Sequence, residues 1–281
     1  MIKKYLAYLF FVFSALFLGC ESLSPEEKSK IYPVLIERVD QETLKALNEQ
    51  YHSDNDGLIC STLNEYALTG FSRILFQNDE NPCLNRVEIK KEVQFESRFL
   101  EVAKQSLLKN SKFTGVTEIE SLTTSEIIPL EGCTVCEGPD INNVPLEWKF
   151  EFESQEVNGI KVLDTRIVVY MDANGVNRIW GNWYEVTDPG FVEYGSNHAK
   201  EVVTGLKLRY ANEQNHIFEQ VVTLQHLKKE PELVFSPIEV EKGLEIHKVW
   251  EVEIVQQNSG IVTWKVYIST INGKVVGTTL L

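Results

Sequence analysis

The stretch RIVVYMDANGVNRIWGNWY, residues 166–184, decides the fold class. Its first part, Arg166 to Met171, is rich in β-branched and aromatic residues, and so is its last part, Asn177 to Tyr184. The sequence between them, Asp172 to Gly175, is typical of a turn, because Asn and Gly accept positive φ angles. The stretch therefore predicts two antiparallel strands joined by a hairpin turn.

Strand patterns continue on both sides of this hairpin. Upstream, aromatic and charged residues alternate over 147–153, the pattern of a half-buried strand. Downstream, a similar alternation recurs over 249–254, and strand-like stretches follow at 263–268 and 274–280 with the turn Asn272-Gly273 between them. The second half of the chain is therefore predicted to form antiparallel sheets.

The two strand-rich stretches resemble each other, which indicates an internal repeat of about 100 residues. The spacing from Trp148 to Tyr170 is 22 residues and that from Trp250 to Tyr267 is 17 residues, so we expect a longer loop in the first unit. Three pairs of segments correspond in order: Glu147 to Phe150 with Val249 to Val252, Val169-Tyr170 with Val266-Tyr267, and Ile179 to Gly181 with Val275 to Gly277.

Helical patterns precede the strands. Asp40 is placed to cap a helix that continues through Tyr51, and Pro33 is expected to interrupt or restart an earlier one. The strongest helical pattern covers 61–76, where apolar residues recur at spacings of three and four. A further helix is predicted at roughly 94–109, with one apolar stripe formed by Phe99, Val102, Ala103 and Leu107.

The hairpin sequences resemble a known family. The run Val169 to Asp172 before the turn residue Gly175 resembles the closing hairpin of PepSY-type domains, and Val266 to Ser269 is similar, with Ser269 in place of the aspartate. The resemblance implies a helix followed by an antiparallel sheet. It also implies a place among envelope proteins, where such domains have been linked to the inhibition or chaperoning of peptidases.

We therefore predict an α+β fold, in which an N-terminal helical region is followed by two antiparallel-sheet units that form PepSY-like repeats. The predicted segments are a signal peptide at 1–19, a lipid-anchored tether at 20–30, a helical region at 31–94, a PepSY-like α+β unit at 95–188 and a second strand-rich unit at 189–281.

The N-terminus predicts the location of the protein. Lys3 and Lys4 precede an apolar stretch from Tyr5 to Leu18, which is shorter than the roughly 20 residues of a membrane span. The following Gly19-Cys20 resembles the end of a bacterial lipobox, which implies cleavage before Cys20 and lipidation (palmitate) of its sulfur. We expect an outer-membrane lipoprotein on the periplasmic or surface face, whose partner is the membrane itself through acyl chains.

Charge excludes one class of partner. The chain has 27 Lys and Arg against 41 Asp and Glu, a net charge of −14, and it has no basic block. Because phosphate backbones are bound through clustered cations, we expect no general nucleic-acid binding.

The remaining cysteines have three interpretations. An even number in an exported chain favours disulfide bonds, and three pairings are open. Thiol–disulfide redox chemistry through Cys133 and Cys136 is the second interpretation, although Glu131 and Glu137 oppose a low thiol pKa. A zinc site is the third, but the paired spacing is missing. The candidates are Cys60, Cys83, Cys133 and Cys136.

No catalytic or metal-binding residue is assigned, and no cofactor is expected. The sequence contains none of the common nucleophile, phosphate-loop or zinc-protease motifs. Asp54 to Gly57 is interpreted as a polar turn rather than a calcium loop. Of the cluster Trp180, Trp183 and Tyr184, at least one ring is expected at the surface, although core packing is the simpler role.

The sequence favours a non-enzymatic module that binds a protein or peptide of the envelope. The alternative is an envelope enzyme, either a thiol–disulfide redox protein or an unrecognised hydrolase. A purely structural envelope component is the third possibility.

Overall fold

The computed structural model describes residues 32–70, 91–134, 143–188, 190–211, 217–256 and 261–281. In these ranges the chain is a mixed α/β protein with few helices and several antiparallel sheets. Predictions on the signal peptide, the tether, Cys20, Cys83, Cys136 and the second half of the 61–76 helix lie outside the described residues. Within them, no helix is long and apolar enough to cross a membrane.

The first helix, α1 (Gln41–Asp54), begins where the sequence predicts. The Asp40 carboxylate accepts a hydrogen bond from the Thr43 amide at 2.9 Å, which satisfies one of the free N–H groups of the first turn. This bond and a second one from the Thr43 hydroxyl hold the pKa of Asp40 below its ordinary value. Tyr51 on the last turn is fully buried.

The second helix, α2 (Arg98–Lys109), confirms the pattern predicted at 94–109, and the short α3 (Ser111–Thr114) follows it directly. Ala103 and Leu107 are fully buried on the predicted stripe, whereas Val102 remains exposed. The stripe therefore faces the core at its centre and solvent at one border.

Helix α2 packs on a four-stranded antiparallel sheet, sheet 1, and contacts its last two strands. The predicted hairpin over 166–184 is present here, although its second strand ends at Trp180. The order of strands in sheet 1 is β2 (Thr124–Cys133), β3 (Asn143–Phe152), β6 (Ile167–Asp172) and β7 (Gly175–Trp180).

The second unit has a similar plan. Helix α4 (Ser196–Val203) packs on a larger sheet, sheet 2, which has seven strands. The hairpin β8 (Lys207–Ala211) and β9 (Ile217–Val221) forms a separate two-stranded sheet. The main meander of sheet 2 is β10 (Glu232–Val240), β11 (Gly243–Val255), β12 (Val262–Ser269) and β13 (Val275–Leu280).

Three further strands of sheet 2 come from the first half of the chain. β1 (Val34–Glu37) pairs with β11, β5 (Ile160–Val162) pairs in parallel with β10, and β4 (Glu156–Val157) pairs with β5. The β4–β5 hairpin is inserted between β3 and β6. It accounts for the longer spacing from Trp148 to Tyr170 that the sequence reveals.

The two meanders share the same register at their centres. Trp148 of β3 lies opposite Met171 of β6, and Trp250 of β11 lies opposite Ile268 of β12. The register between β6 and β7 shifts between Tyr170 and Met171, and the register between β12 and β13 shifts between Tyr267 and Ile268. Such a shift is typical of a β-bulge. In the described parts of the two sheets, β3, β6 and β7 are therefore equivalent to β11, β12 and β13.

One part of the predicted correspondence is wrong. Val176 lies opposite Met171, and Val275 lies opposite Ile268, so these two valines are equivalent. The sequence comparison instead matches Val275 with Ile179. The error arises because the turns before the two valines differ in length, and a pattern of apolar residues does not reveal such a shift.

Each central tryptophan ties its sheet to the segment before its helix. The Trp148 indole N–H donates to the carbonyl oxygen of Val93 at 2.9 Å. The Trp250 indole N–H donates to the carbonyl oxygen of Tyr194 at 2.7 Å. Because a buried indole N–H needs an acceptor, each bond fixes where the chain enters its helix.

The N-terminal helical region predicted at 31–94 is only partly helical. The residues after Pro33 form β1, not a helix, because Val34 to Ile36 complete the edge of β11. The predicted helix over 61–76 is wrong for its described part, residues 61–70, which is irregular. There the Asn64 side-chain oxygen accepts hydrogen bonds from the Tyr66 and Leu68 amides, which competes with helical bonding.

The hydrophobic cores lie between the helices and the sheets. One cluster lies between α1, α2 and sheet 1, a second lies between α4 and sheet 2, and a third fills the junction between the two units. The junction cluster contains Tyr32, Val162, Tyr184, Phe235 and Ile246.

A buried ion pair also lies at the junction. The Lys248 ammonium contacts the Asp188 carboxylate at 2.6 Å and the Phe191 carbonyl oxygen at 3.1 Å. The exposed fractions of the Lys248 and Asp188 side chains are 2% and 9%. The pair therefore fixes the connecting segment against β11.

Candidate functional site

The outer edge of β2 is the longest open backbone edge in the part of the chain that the structure describes. Among the described strands, β2 pairs only with β3. From Ser125 to Gly132, no described residue forms a backbone hydrogen bond with its outer side. Such an edge presents a row of unpaired N–H and C=O groups, which is a template for one more strand.

The side chains of residues 127–130 in β2 are apolar on both faces of the sheet. Ile127 and Pro129 lie on the helix side, opposite Phe150 and Trp148 of β3. Ile128 and Leu130 point to the other face, because neighbouring residues of a strand alternate. A strand that pairs with β2 would therefore meet apolar neighbours on each face.

An aromatic cluster extends this surface on the helix side. The Phe95 ring lies 4.9 Å from the Trp148 ring and 6.2 Å from the Phe99 ring, centre to centre. Phe95 is 44% exposed and Ile127 is 36% exposed, so the surface is open to a ligand. We call Phe95, Ile127, Pro129 and Trp148 the β2 patch.

Backbone bonds fix the position of Phe95. The Val93 amide donates to the Pro145 carbonyl oxygen at 2.8 Å, and the Val93 carbonyl oxygen accepts the Trp148 indole N–H. These bonds hold the segment before α2 against β3. The aromatic part of the β2 patch is therefore preorganised, which lowers the entropy cost of binding.

Carboxylates stand at both ends of the apolar stretch of β2. Glu126 and Glu131 are exposed and flank residues 127–130. The Lys149 ammonium lies 4.0 Å from Glu126, and it also contacts Glu151 at 2.8 Å. The edge is therefore acidic at its ends, which suits a partner with cationic residues flanking an apolar segment.

A cleft runs from this region along α2. Two adjoining cavities of about 620 Å³ and 420 Å³ share Arg98, Val102, Asn174 and Gly175. The smaller one includes Phe99, which contacts the β2 patch. One wall of the cleft is the predicted turn from Asp172 to Gly175, where the Asp172 carboxylate accepts a hydrogen bond from the Asn174 amide.

A third cavity of about 810 Å³ lies at the junction of the two units. Gln155 crosses it with both side-chain ends occupied: its amide nitrogen donates to the Tyr184 carbonyl oxygen, and its oxygen accepts from the Tyr184 amide. Burial raises the pKa of the Tyr184 phenol to about 12, so it stays protonated at neutral pH. The Gln155 side chain and the Tyr184 backbone are bonded to each other, which is the pattern of a structural contact.

The predicted cysteines are only partly described. Cys60 and Cys133 are both disulfide-bonded. Cys20, Cys83 and Cys136 lie outside the described residues, so the pairing stays a prediction. Cys133 is the last residue of β2, at the end of the open edge.

The predicted aromatic cluster has a structural explanation. Trp183 and Tyr184 are buried. Trp180 is half-buried, and its ring contacts the Tyr170 ring edge-on, with 5.2 Å between the ring centres. The Arg178 guanidinium lies 4.2 Å from the centre of the Tyr170 ring, so this surface is occupied by the chain's own cation.

The predicted turn from Asp54 to Gly57 is the end of α1, where Asp56 and Gly57 adopt positive φ angles. In the described ranges, no group of three or more His, Cys, Asp or Glu side chains is arranged to hold a metal ion.

Sequence reasoning missed the β2 patch. Phe95 stands just before α2, and Ile127 lies in a stretch that reads as strand without indicating which edge is open. The only signal was the pair of exposed carboxylates around four apolar or cyclic residues at 127–130.

No protein-family model and no curated protein matches this chain. Among solved structures, it is similar to the Bacillus megaterium YpeB C-terminal domain, with 15% sequence identity, a TM-score of 0.28, and coverage of 69% of this chain and 68% of that chain. At this TM-score the overlap is too low to assign a shared fold.

Proposed function

We propose that this chain is a lipid-anchored protein of the bacterial cell envelope that binds an extended segment of a partner protein and catalyses no reaction. The open edge of β2 beside the exposed β2 patch supports the binding role. The lipobox-like sequence before Cys20 supports the anchor, and the PepSY-like hairpins agree with an envelope location.

The ligand is a peptide that adds to sheet 1 as a fifth strand. Main-chain hydrogen bonds to residues 125–132 supply affinity for any extended chain. Alternate side chains of the peptide then contact Ile127 and Pro129 on one face and Ile128 and Leu130 on the other. We therefore expect selectivity for apolar residues at alternate positions, with Lys or Arg near Glu126 or Glu131.

The first experiment selects peptides from a random dodecapeptide display library with the mature chain carrying Cys20→Ala. We expect enriched peptides that combine alternating apolar residues with flanking cations. The Ile127→Lys variant should bind a selected peptide at least about tenfold more weakly, because it removes an apolar contact and repels the cations. Leu224→Lys, at an exposed leucine outside sheet 1, is the control and should bind as the unmodified chain does.

Strand addition has a second signature. N-methylation at alternate peptide residues removes the donors that face β2, whereas N-methylation at the intervening residues leaves them intact. We expect loss of binding in one series only. Equal binding of the two N-methylated peptide series would rule out strand addition at β2. So would an Ile127→Lys variant that binds the selected peptide as tightly as the unmodified chain does.

The anchor is tested separately by mass spectrometry of the N-terminal peptide and by membrane fractionation. We expect acyl chains on Cys20 and release of the Cys20→Ala form from the membrane fraction. An unmodified Cys20 in a membrane-free protein would contradict the anchor but not the peptide-binding role.

A further inference from the structure

The two sheets differ in which of their equivalent edges is covered. In sheet 1, the edge strand β7 is covered by the segment after α1. The Cys60 amide donates to the Asn177 carbonyl oxygen at 2.7 Å, and the Ile179 amide donates to the Ser61 hydroxyl at 3.0 Å. In sheet 2, the equivalent strand is β13, and no described residue forms a backbone hydrogen bond with its outer edge.

β13 lacks two of the features that protect edge strands from pairing, charge and proline, although its pairing with β12 contains a β-bulge. Its residues, Val275 to Leu280, include no charged residue and no proline, in a chain where 24% of residues are charged. Natural edge strands usually carry a lysine, a proline or an inward charge that prevents association. Leu280 is 51% exposed, so the strand also offers apolar surface.

We infer that β13 pairs antiparallel with β13 of a second copy of this chain. In such a two-fold antiparallel interface, residues at equal distances from the axis lie opposite each other, so a strand can pair with itself only if it places no like charges at such positions. β13 meets this condition along its whole length. The pairing would join two seven-stranded sheets into one of fourteen strands.

The same condition on charge excludes self-pairing at β2. An antiparallel pair centred on that strand would place Glu126 of one copy opposite Glu131 of the other, and like charges opposite each other destabilise a sheet. The two open edges therefore have different occupants, a foreign peptide at β2 and a second copy at β13.

Net charge makes this association depend on salt. Each copy is strongly acidic, so two copies repel at long range. The strands that meet are uncharged, so added salt screens the repulsion without weakening the contact. We expect the dimer to be more stable in 0.5 M salt than in 0.05 M salt, the opposite of an interface held by ion pairs.

The test measures mass by analytical ultracentrifugation of the mature chain carrying Cys20→Ala. Thr278 is exposed at the middle of β13, so Thr278→Lys and Thr278→Glu each place a charge near its own copy. We expect each variant alone to be monomeric at concentrations where the unmodified chain is dimeric. An equimolar mixture should recover the dimer, because the two charges then attract. Circular dichroism confirms that each variant is folded.

Three results would overturn this inference. The unmodified chain could remain monomeric up to about 100 μM, the Thr278→Lys variant could dimerise as well as the unmodified chain, or the assembly could grow beyond two copies. The last result would indicate head-to-tail pairing of β13 with β2. Ile127→Lys, which tests the peptide site, should leave the dimer unchanged, so the two proposals fail separately.

Discussion

The Asp188–Lys248 pair is the residue-scale feature with the clearest energetic consequence. Lys248 stands on the face of β11 that also presents Ile246 and Trp250, because strand residues alternate. A lysine on a buried face needs a partner, and Asp188 and the Phe191 carbonyl oxygen supply it. The sequence alternation alone places Lys248 inside, but nothing in the sequence identifies a partner 60 residues away.

Asp188→Ala should destabilise the protein by about 3–5 kcal/mol, because it leaves the Lys248 ammonium buried without its counter-charge. Urea denaturation measures the change in the free energy of unfolding. The double variant Lys248→Met/Asp188→Leu should recover most of the loss, since it removes both charges together. Glu96→Ala, which breaks an exposed ion pair with Arg98, is the control and should change stability little. Equal losses of unfolding free energy in Asp188→Ala and Glu96→Ala would contradict this account.

The same pair predicts a dependence on pH. Burial alone would raise the pKa of the Asp188 carboxyl, but hydrogen bonds from Lys248 and the Gly190 amide outweigh it and hold the pKa below its ordinary value. The stabilisation is therefore fully present above the unfolded-state pKa of about 3.9, and it is lost as the pH falls through the lower, folded-state value. Urea midpoints between pH 7 and 3 should fall less steeply for Asp188→Asn than for the unmodified chain.

At the scale of elements, the sequence predicts those whose signals are local. The Asp40 cap fixes the start of α1, the alternation over 147–153 fixes β3, and the turn from Asp172 to Gly175 joins β6 to β7. The stretch 199–211 reads equally well as helix or strand, and it is both: α4 ends at Val203 and β8 begins at Lys207.

Elements that depend on distant partners could not be predicted. β1 is a strand because it completes β11, more than 200 residues further along the chain. The apolar spacing over 61–70 looks helical, but Leu63 is buried in an irregular segment. The Leu63 amide donates a hydrogen bond to the Asn48 side-chain oxygen. Which edge of sheet 1 is open depends on where residues 59–61 lie, and no local pattern determines that.

The contact between β1 and β11 has one critical position. Gly243 lies opposite Glu37, and a Cβ atom there would overlap the Ile36 carbonyl oxygen. Gly243→Ala should therefore displace β1 and destabilise the protein by about 1–3 kcal/mol. Hydrogen exchange of the β1 amides should accelerate. Gly195→Ala, where a Cβ meets open space, is the control. Unchanged exchange in β1 would contradict the prediction.

At the scale of the whole molecule, disulfide bonds contribute to stability. Cys60 lies in the segment that covers β7, and Cys133 ends β2, so both of these disulfide-bonded residues lie at edges of sheet 1. Reduction should lower the free energy of unfolding by about 2–4 kcal/mol per bond. Thermal unfolding with and without dithiothreitol measures this loss, and mapping of non-reduced peptides identifies the pairing. Rapid thiol labelling of the untreated, folded protein would contradict the prediction.

The position of β1 determines how the molecule would respond to mechanical force. Tension applied to the chain ahead of Tyr32 reaches β1 first and passes from it into β11, at the interior of sheet 2. With the second point of attachment at β13, the load runs through sheet 2, and β2 and its neighbours stay relaxed while β1 resists the pull. Pulling on the N-terminal segment in an optical trap should release β1 before it disturbs the β2 patch.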